Sequence, residues 1–407
     1  MREKVKKIAK RANSATVLAC LFVAFICVVG AARLPHVASE LGALGRWREY
    51  TFEYFVETVD DIYAEMLTTS SDVPLLHNRG TYIELNGLIA RTLGQRTMND
   101  VTKLKNGLLF SFSGTMDVSV PIERMTQLFA AQEERGAQFL FVMAPLKVSK
   151  YDPQVPTGSV SVDNDSADEL VNALRDNGVA VLDLRERMYE QGIDHGEAFY
   201  VTDHHWRTET ALWAFAELMH EMTATGVIPH VDTPVTDVAS YELRPSGVEF
   251  LGSRGRRTGR FFAGTDEMNL IIPRFDTQLT MEIPSRGIYN SGSFYDVAYD
   301  QELLTDADLY NNYAYSSIGY ADNGLTLWRN DDALFDRRVM LIGDSFGNLP
   351  FALLSLVFSD CDEVDVRHLD EDFWSLYDAT EPQLVIVFIG AASPNQKNTT
   401  LVSRAEG

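Results

Sequence analysis

Hydrophobic residues run along this chain in three rhythms, and each predicts a different kind of element. Between Arg11 and Arg33 no charged residue interrupts the sequence, and Ala15 to Ala32 is a run of 18 apolar or small side chains, just enough to cross a bilayer as a helix. From 36 to 68 the apolar residues Leu41, Leu44, Tyr50, Tyr54, Val59, Ile62 and Met66 recur at spacings of three and four, the pattern of one or two amphipathic helices. Residues 73–96 read as a loop and a short helix. Farther on, short unbroken apolar runs alternate with helical stretches. Strands are predicted at 107–112, 139–144, 179–184, 339–342, 363–366 and 384–389, of which FLFVMA and LVIVFI are apolar enough to be buried on both faces. Helices are predicted over 121–134 and 166–176, the second with Ser166 or Asp168 as its cap and Asn177-Gly178 as its stop, and another begins near Arg207.

Strands alternating with helices imply an α/β fold, a doubly wound parallel sheet with helices on both faces. Between 225 and 335 the rhythm breaks into Gly, Arg, Tyr and turn residues with short alternating runs such as Arg260–Ala263 and Met268–Ile272, which predicts a β-rich insertion. The expected plan is a basic tail (1–11), a transmembrane helix (12–33), a juxtamembrane helical region (34–100), the α/β domain (101–395) and a C-terminal tail (396–407).

Charge sharpens this plan. The chain carries 58 acidic against 35 basic residues, a net charge of −23, which argues against nucleic acid as a partner. Yet its first 11 residues hold six Lys or Arg and one Glu. A basic cluster ahead of an apolar run stays on the cytoplasmic side, so the rest is expected outside a plasma membrane, held by a single pass. A cleaved signal peptide, with Gly30, Ala31 and Ala32 as the cleavage region, is the competing reading and exports the same domain. Three cysteines, Cys20, Cys27 and Cys361, describe no disulfide framework.

Two strings carry chemistry. In RVMLIGDSFGNLP a buried strand runs into Gly343-Asp344-Ser345 and then a helix, which puts Ser345 at the carboxyl end of a strand, where doubly wound folds gather their sites. A serine hydroxyl needs a base to act as a nucleophile. FYVTDHHWRTET supplies one: Asp203 and His205, two apart on an extended segment, point the same way, so Asp203 can orient one ring nitrogen and leave the other for Ser345. Trp206 is positioned to cover the pair. Competing readings are that Asp203 or Thr208 caps the following helix, or that Asp203 and the adjacent histidines, with His195, bind a metal. The chain has no HExxH or CxxC spacing, so no metal and no cofactor is expected.

With TDHHW and GDSF on the page, the chain resembles the DHHW protein family, related to the alginate O-acetylation proteins with their SGNH-hydrolase-like domains. IELNGLIARTLGQR (83–96), FLGSRGRRTGRFFAGTD (250–266) and LVIVFIG share in the resemblance, which spans roughly 80–395. It implies Asp203 as the acid, His205 rather than His204 as the base, and Ser345 as the nucleophile. It also implies an O-acetyltransferase acting on a polysaccharide, with an acyl donor reached through a membrane-bound O-acyltransferase. The alternatives are a carbohydrate acetylesterase with the same triad and a non-catalytic glycan-binding scaffold. Oxyanion donors are harder to place: the Ser345 N–H, Asn312 and Tyr313 are candidates, and Lys147, just after a predicted strand, is a candidate for lining the crevice.

Overall fold

A computed structural model describes residues 79–401 apart from 306, 307 and 312. The predicted basic tail, transmembrane helix and amphipathic stretch to residue 68 lie outside the described residues, as does Asn312. Among the described residues no helix is long and apolar enough to cross a membrane.

The chain opens with α1 (Arg79–Thr92) and a small sheet of β1 (Thr97–Met98), β2 (Val101–Lys103) and β3 (Leu109–Phe110). The alternating part follows: α2 (Ser119–Glu134), β4 (Gln138–Ala144), α3 (Asp165–Asp176), β5 (Val181–Asp183), α4 (Leu184–Glu190), α5 (His195–Ala198) and α6 (Thr208–Ala224). Next come β6 (Tyr241–Phe250), α7 (Gly255–Thr258), α8 (Arg260–Ala263), β7 (Asp266–Pro273), β8 (Leu279–Ile283), β9 (Ile288–Gly292), α9 (Phe294–Ala298) and β10 (Leu325–Arg329). The last part is β11 (Phe335–Gly343), α10 (Asn348–Leu354), β12 (Phe358–Val364), α11 (Phe373–Thr380), β13 (Leu384–Gly390) and α12 (Lys397–Thr400).

Eight strands form the main sheet in the order β5-β4-β13-β11-β12-β10-β8-β9. The first five run parallel, and every residue of β13 is buried, as its unbroken apolar sequence requires. One helical layer joins α2, α3 and α11, where Tyr377 donates to Gln132 at 2.7 Å and Arg135 meets Asp378 at 2.5 Å. Another joins α6 and α10.

The sheet is mixed, which corrects the expectation of a parallel sheet with a separate β-rich insertion. Of the described strands between 225 and 335, only β6 and β7 pair apart from it; β8, β9 and β10 extend it antiparallel beyond β12. The reason is the open edge of β12, whose backbone groups need partners. Alternation in β10 (LTLWR) buries Thr326 and Trp328 against that edge while its other residues stay partly open. Arg260–Ala263, expected as an alternating run, is the helical turn α8: Phe262 turns into a small core with Ala90 and Met98, between Gly259 and Gly264. Strand β5 is shorter than its apolar run because Asp183 accepts from the Arg185 N–H at 3.0 Å and starts α4. Neither Ser166 nor Asp168 caps α3, whose cap position is Asn164. Residues 396–400, read as the start of a tail, pack into the domain, with Asn398 and Thr399 fully buried.

Candidate active site

The site forms where three segments meet beyond the carboxyl end of β11. Ser345 sits on the link between β11 and α10. Asp344 shapes that link: its Oδ1 accepts from the Phe346 N–H at 3.1 Å, and its Oδ2 accepts from the Gly390 N–H at 2.9 Å and from Gln396 at 2.8 Å. Asn398 donates to the Gly343 carbonyl at 2.7 Å, so the C-terminal segment clamps the turn from below. Among the described residues the Ser345 N–H takes no hydrogen-bond partner.

The second segment is 201–206. Asp203 is fully buried; its Oδ1 lies 2.6 Å from His205 Nδ1 and accepts from the His205 N–H at 2.9 Å. The other imidazole nitrogen, Nε2, is 2.6 Å from Ser345 Oγ. Asp203, His205 and Ser345 are thus brought together in the order acid, imidazole, alcohol. The imidazole stacks on Tyr315 with centroids 4.0 Å apart and planes 10° apart, which fixes its orientation. Burial pushes the His205 imidazole down to about 4, helped by His204 and opposed by Asp203. Burial alone would raise the Asp203 carboxyl, but the two histidines and their hydrogen bonds hold it well below its ordinary value. The pair is therefore carboxylate plus neutral imidazole near neutral pH, as a general base requires.

Residues 252–257 form the third segment. The Ser253 N–H donates to Asp203 Oδ2 at 2.8 Å, and Ser253 Oγ lies 2.8 Å from His204 Nδ1. Gly252 is needed there: a Cβ on it would fall 2.2 Å from Asp203 Cβ and 2.3 Å from its Cα. Thr202 is gripped as tightly, by Asp266, whose carboxylate accepts from the Val201 and Thr202 N–H groups at 2.8 and 2.6 Å.

Other candidates land elsewhere. Tyr313, expected to face an oxyanion at the serine, puts its hydroxyl 3.0 Å from His205 Nδ1, at the Asp203 end of the ring. Lys147 does not line the crevice: it is 2% exposed and donates to the Leu109 and Val201 carbonyls, both at 2.9 Å. Burial pulls its ammonium down to about 7, against the pull of Asp203 and Asp266. Trp206 is not a cover but a foundation, buried against Phe346 and Phe388. Asp203 does not cap α6, where Arg207 holds the cap position. As metal ligands, Asp203, His204 and His205 offer donor atoms within 4.8 Å of one another, but both Asp203 oxygens, both His205 nitrogens and His204 Nδ1 are engaged as described. Ser253, Asp266, Gln396 and Asn398 were not singled out in the sequence. Ser253 and Asp266 lie within the 250–266 string that shares in the resemblance, where the Gly252–Gly255 pair marks close backbone approach; Gln396 and Asn398 carried no such signal.

An eight-stranded mixed sheet with this crevice at its carboxyl edge defines an SGNH-hydrolase-like α/β fold. Residues 118–245 match the SGNH hydrolase-like domain of the acetyltransferase AlgX, a stretch that includes Asp203 and His205 and ends before Ser345. No curated protein matches the chain. Bacillus cereus PatB1, solved with a sulfonyl adduct, shares the fold at a TM-score of 0.61 and 15% identity, over 74% of this chain and 98% of PatB1. A DHHW family protein from Eubacterium siraeum shares it at 0.52 and 17% identity, over 76% of this chain and 98% of the other. These findings bear out the resemblance to DHHW proteins and their SGNH-hydrolase-like relatives that the two strings carry.

Proposed function

We propose that the chain is a serine-dependent O-acetyltransferase of an exported or cell-surface polysaccharide. His205 Nε2 takes the proton of Ser345 Oγ as the oxygen attacks the acetyl carbonyl of the donor. Asp203 keeps the Nδ1–H tautomer and stabilises the imidazolium. The tetrahedral oxyanion is met by the Ser345 N–H, which has no other partner among the described residues. His205 returns its proton to the leaving group and an acetyl-serine remains. A glycan hydroxyl, deprotonated by the same imidazole, then takes the acetyl group and frees the serine. Water in place of the glycan makes the same machinery an acetylesterase.

The observation that carries this reading is the continuous link from the Ser345 hydroxyl through His205 to Asp203, with both contacts at 2.6 Å. The match of 118–245 to an acetyltransferase domain favours acetyl over other acyl groups. The basic first residues and the apolar run at 15–32 support a single-pass anchor with the catalytic domain outside the cell, where a membrane-bound O-acyltransferase can supply the donor. The test is turnover of a chromogenic acetyl ester by the intact chain, with the acetate content of the cell's glycans measured in parallel. Ser345→Ala is expected to cost about a thousandfold or more in turnover and to lower glycan acetate. Equal turnover by both proteins would remove Ser345 from the chemistry; normal glycan acetate with lost esterase activity would leave only the esterase.

A further inference from the structure

Four arginines crowd into 254–260, in a chain whose acidic residues outnumber its basic ones by 58 to 35. They divide into two pairs. Arg257 and Arg260 turn toward the N-terminal elements and find acids: Arg257 lies 3.5 Å from Asp100 and donates to the Asn99 carbonyl, and Arg260 is 3.3 Å from Glu84. Arg254 and Arg256 turn toward the triad and have no carboxylate within ion-pair distance among the described residues. Among the described residues the Arg254 guanidinium makes one hydrogen bond, a long one of 3.5 Å to Ser253 Oγ. Arg256 rests over the Tyr313 ring, 4.8 Å from its centroid, and the hydroxyl of that same tyrosine lies 3.0 Å from His205 Nδ1.

This vacancy is not a shortage of acids. Arg185 holds Asp183 at 2.6 Å, Arg329 holds Asp362 at 2.8 Å and Arg367 holds Asp365 at 2.5 Å. The partly buried Arg254 guanidinium has no salt-bridge partner among the described residues, and burial lowers its pKa although the Asp203 carboxylate pulls the other way from beyond ion-pair distance. The backbone keeps the two arginines where they are. A Cβ on Gly255, between them, would fall 2.6 Å from Thr202 Cβ, and Gly252 is pressed as closely on Asp203. The segment is thus apposed to the triad loop along its length.

We propose that Arg254 and Arg256 form an anion-binding subsite beside the triad, which takes a carboxylate or phosphate substituent of the acceptor glycan. The planar guanidinium fork matches both groups in two-point contact, and both are shared chemistry at this site. Bound there, an acidic sugar is held next to His205 with a hydroxyl free to approach the acetyl-serine, and a neutral glycan is held less well. The inference takes its acceptor from the proposed acetyl transfer, but binding itself needs no turnover.

The test therefore uses the full chain carrying Ser345→Ala and measures binding by calorimetry to three hexasaccharides: an oligogalacturonate, a phosphorylated maltohexaose and unmodified maltohexaose. At least one charged ligand is expected to bind about tenfold or more tightly than the neutral one, with the difference shrinking as salt rises; which of the two does so identifies the anion. Arg254→Gln and Arg256→Gln, each added to that chain, are expected to erase the preference, whereas Arg244→Gln, exposed and paired with Glu242 far along β6, leaves it intact. Should Arg254→Gln fail to fold, Arg256→Gln decides alone. Equal affinity for charged and neutral ligands, or a preference that survives Arg256→Gln, overturns the subsite. Neither result bears on Ser345, whose role rests on the ester assay.

Discussion

The two arms of the triad are held in different ways. On the base arm, Asp203 is fully buried and every contact that fixes it comes from a charged or tightly apposed group: Ser253 N–H and His205 on its oxygens, Gly252 against its Cα, Asp266 and Lys147 on the two residues before it. On the nucleophile arm, Ser345 rides a short turn whose neighbours are backbone N–H groups and the amides of Gln396 and Asn398. The base arm freezes a proton relay. The nucleophile arm sets one hydroxyl and leaves the N–H beside it unspent. If that contrast is right, the base arm is brittle and the nucleophile arm forgiving everywhere except at Ser345 itself.

Gly252→Ala breaks the brittle arm without touching a chemical group. The added methyl cannot coexist with Asp203 Cβ at 2.2 Å, and the neighbour is backbone-anchored, so the carboxylate is displaced. A shift near 1 Å at a positioning group costs about a hundredfold in rate. Ester turnover should fall by that order while circular dichroism stays native; turnover within about twofold of the parent would show that the apposition is not needed.

Protonation probes the same arm. The base must be neutral, and burial lowers the His205 pKa to about 4, so turnover should stay level down to that pH and fall about tenfold per unit below it. The His204 ring, 3.7 Å away centroid to centroid, helps hold the His205 value down, so His204→Gln should move the acid limb upward. A limb near the ordinary histidine value in the parent protein would mean that the imidazole is more open to water than its 2% exposure implies. Circular dichroism at each pH separates this from unfolding.

Lys147→Met tests the support rather than the acid itself. Methionine fills the volume but takes the lysine donor from the Leu109 carbonyl and leaves the Val201 carbonyl with the Leu109 N–H alone. Orphaned buried acceptors cost about 1–3 kcal/mol, read by urea denaturation, and loosening of the Val201–Asp203 loop should lower turnover about tenfold. Unchanged stability would make the lysine dispensable and weaken the contrast between the arms.

How much of this was legible in the chain follows from the reach of each signal. Strands β4, β11 and β13 could be read because strands buried on both faces leave unbroken apolar runs, and the Asp-x-His and Gly-Asp-Ser strings could be placed because each adjoins a strong element. β8 and β10 could not be placed: LTMEI alternates but is only five residues long, LTLWR buries Thr326 and Trp328 rather than its leucines, and both owe their place to an edge of β12 that no local pattern announces. Lys147 was misread for a similar reason. A lysine after a strand reads as exposed, and only the convergence of β3 and the Val201 segment above it, from 38 and 54 residues away, shows that it is sealed in. Tyr313 lies at the Asp203 end of the imidazole rather than at the serine, a distinction of ring orientation that sequence does not carry.

Asp344→Asn is the mildest expected change and the sharpest check on the forgiving arm. The carboxylate is buried, and burial raises its pKa against the hydrogen bonds from Gly390, Gln396 and Phe346 that favour the charge. An asparagine oxygen can still accept from the Phe346 N–H. Its amide then faces Gly390 and Gln396 as a donor. Gln396 can turn its own amide over and accept, because a side-chain amide offers either group. The Gly390 N–H cannot turn, so one backbone donor loses its acceptor, a loss of about 1 kcal/mol after relief of the buried charge. The Ser345 N–H, and with it the oxyanion contact, is untouched. Turnover should therefore fall only about three- to fivefold with no change in the acid limb. A loss as large as that of Gly252→Ala would place Asp344 among the groups that set the geometry of attack and would end the distinction between the two arms.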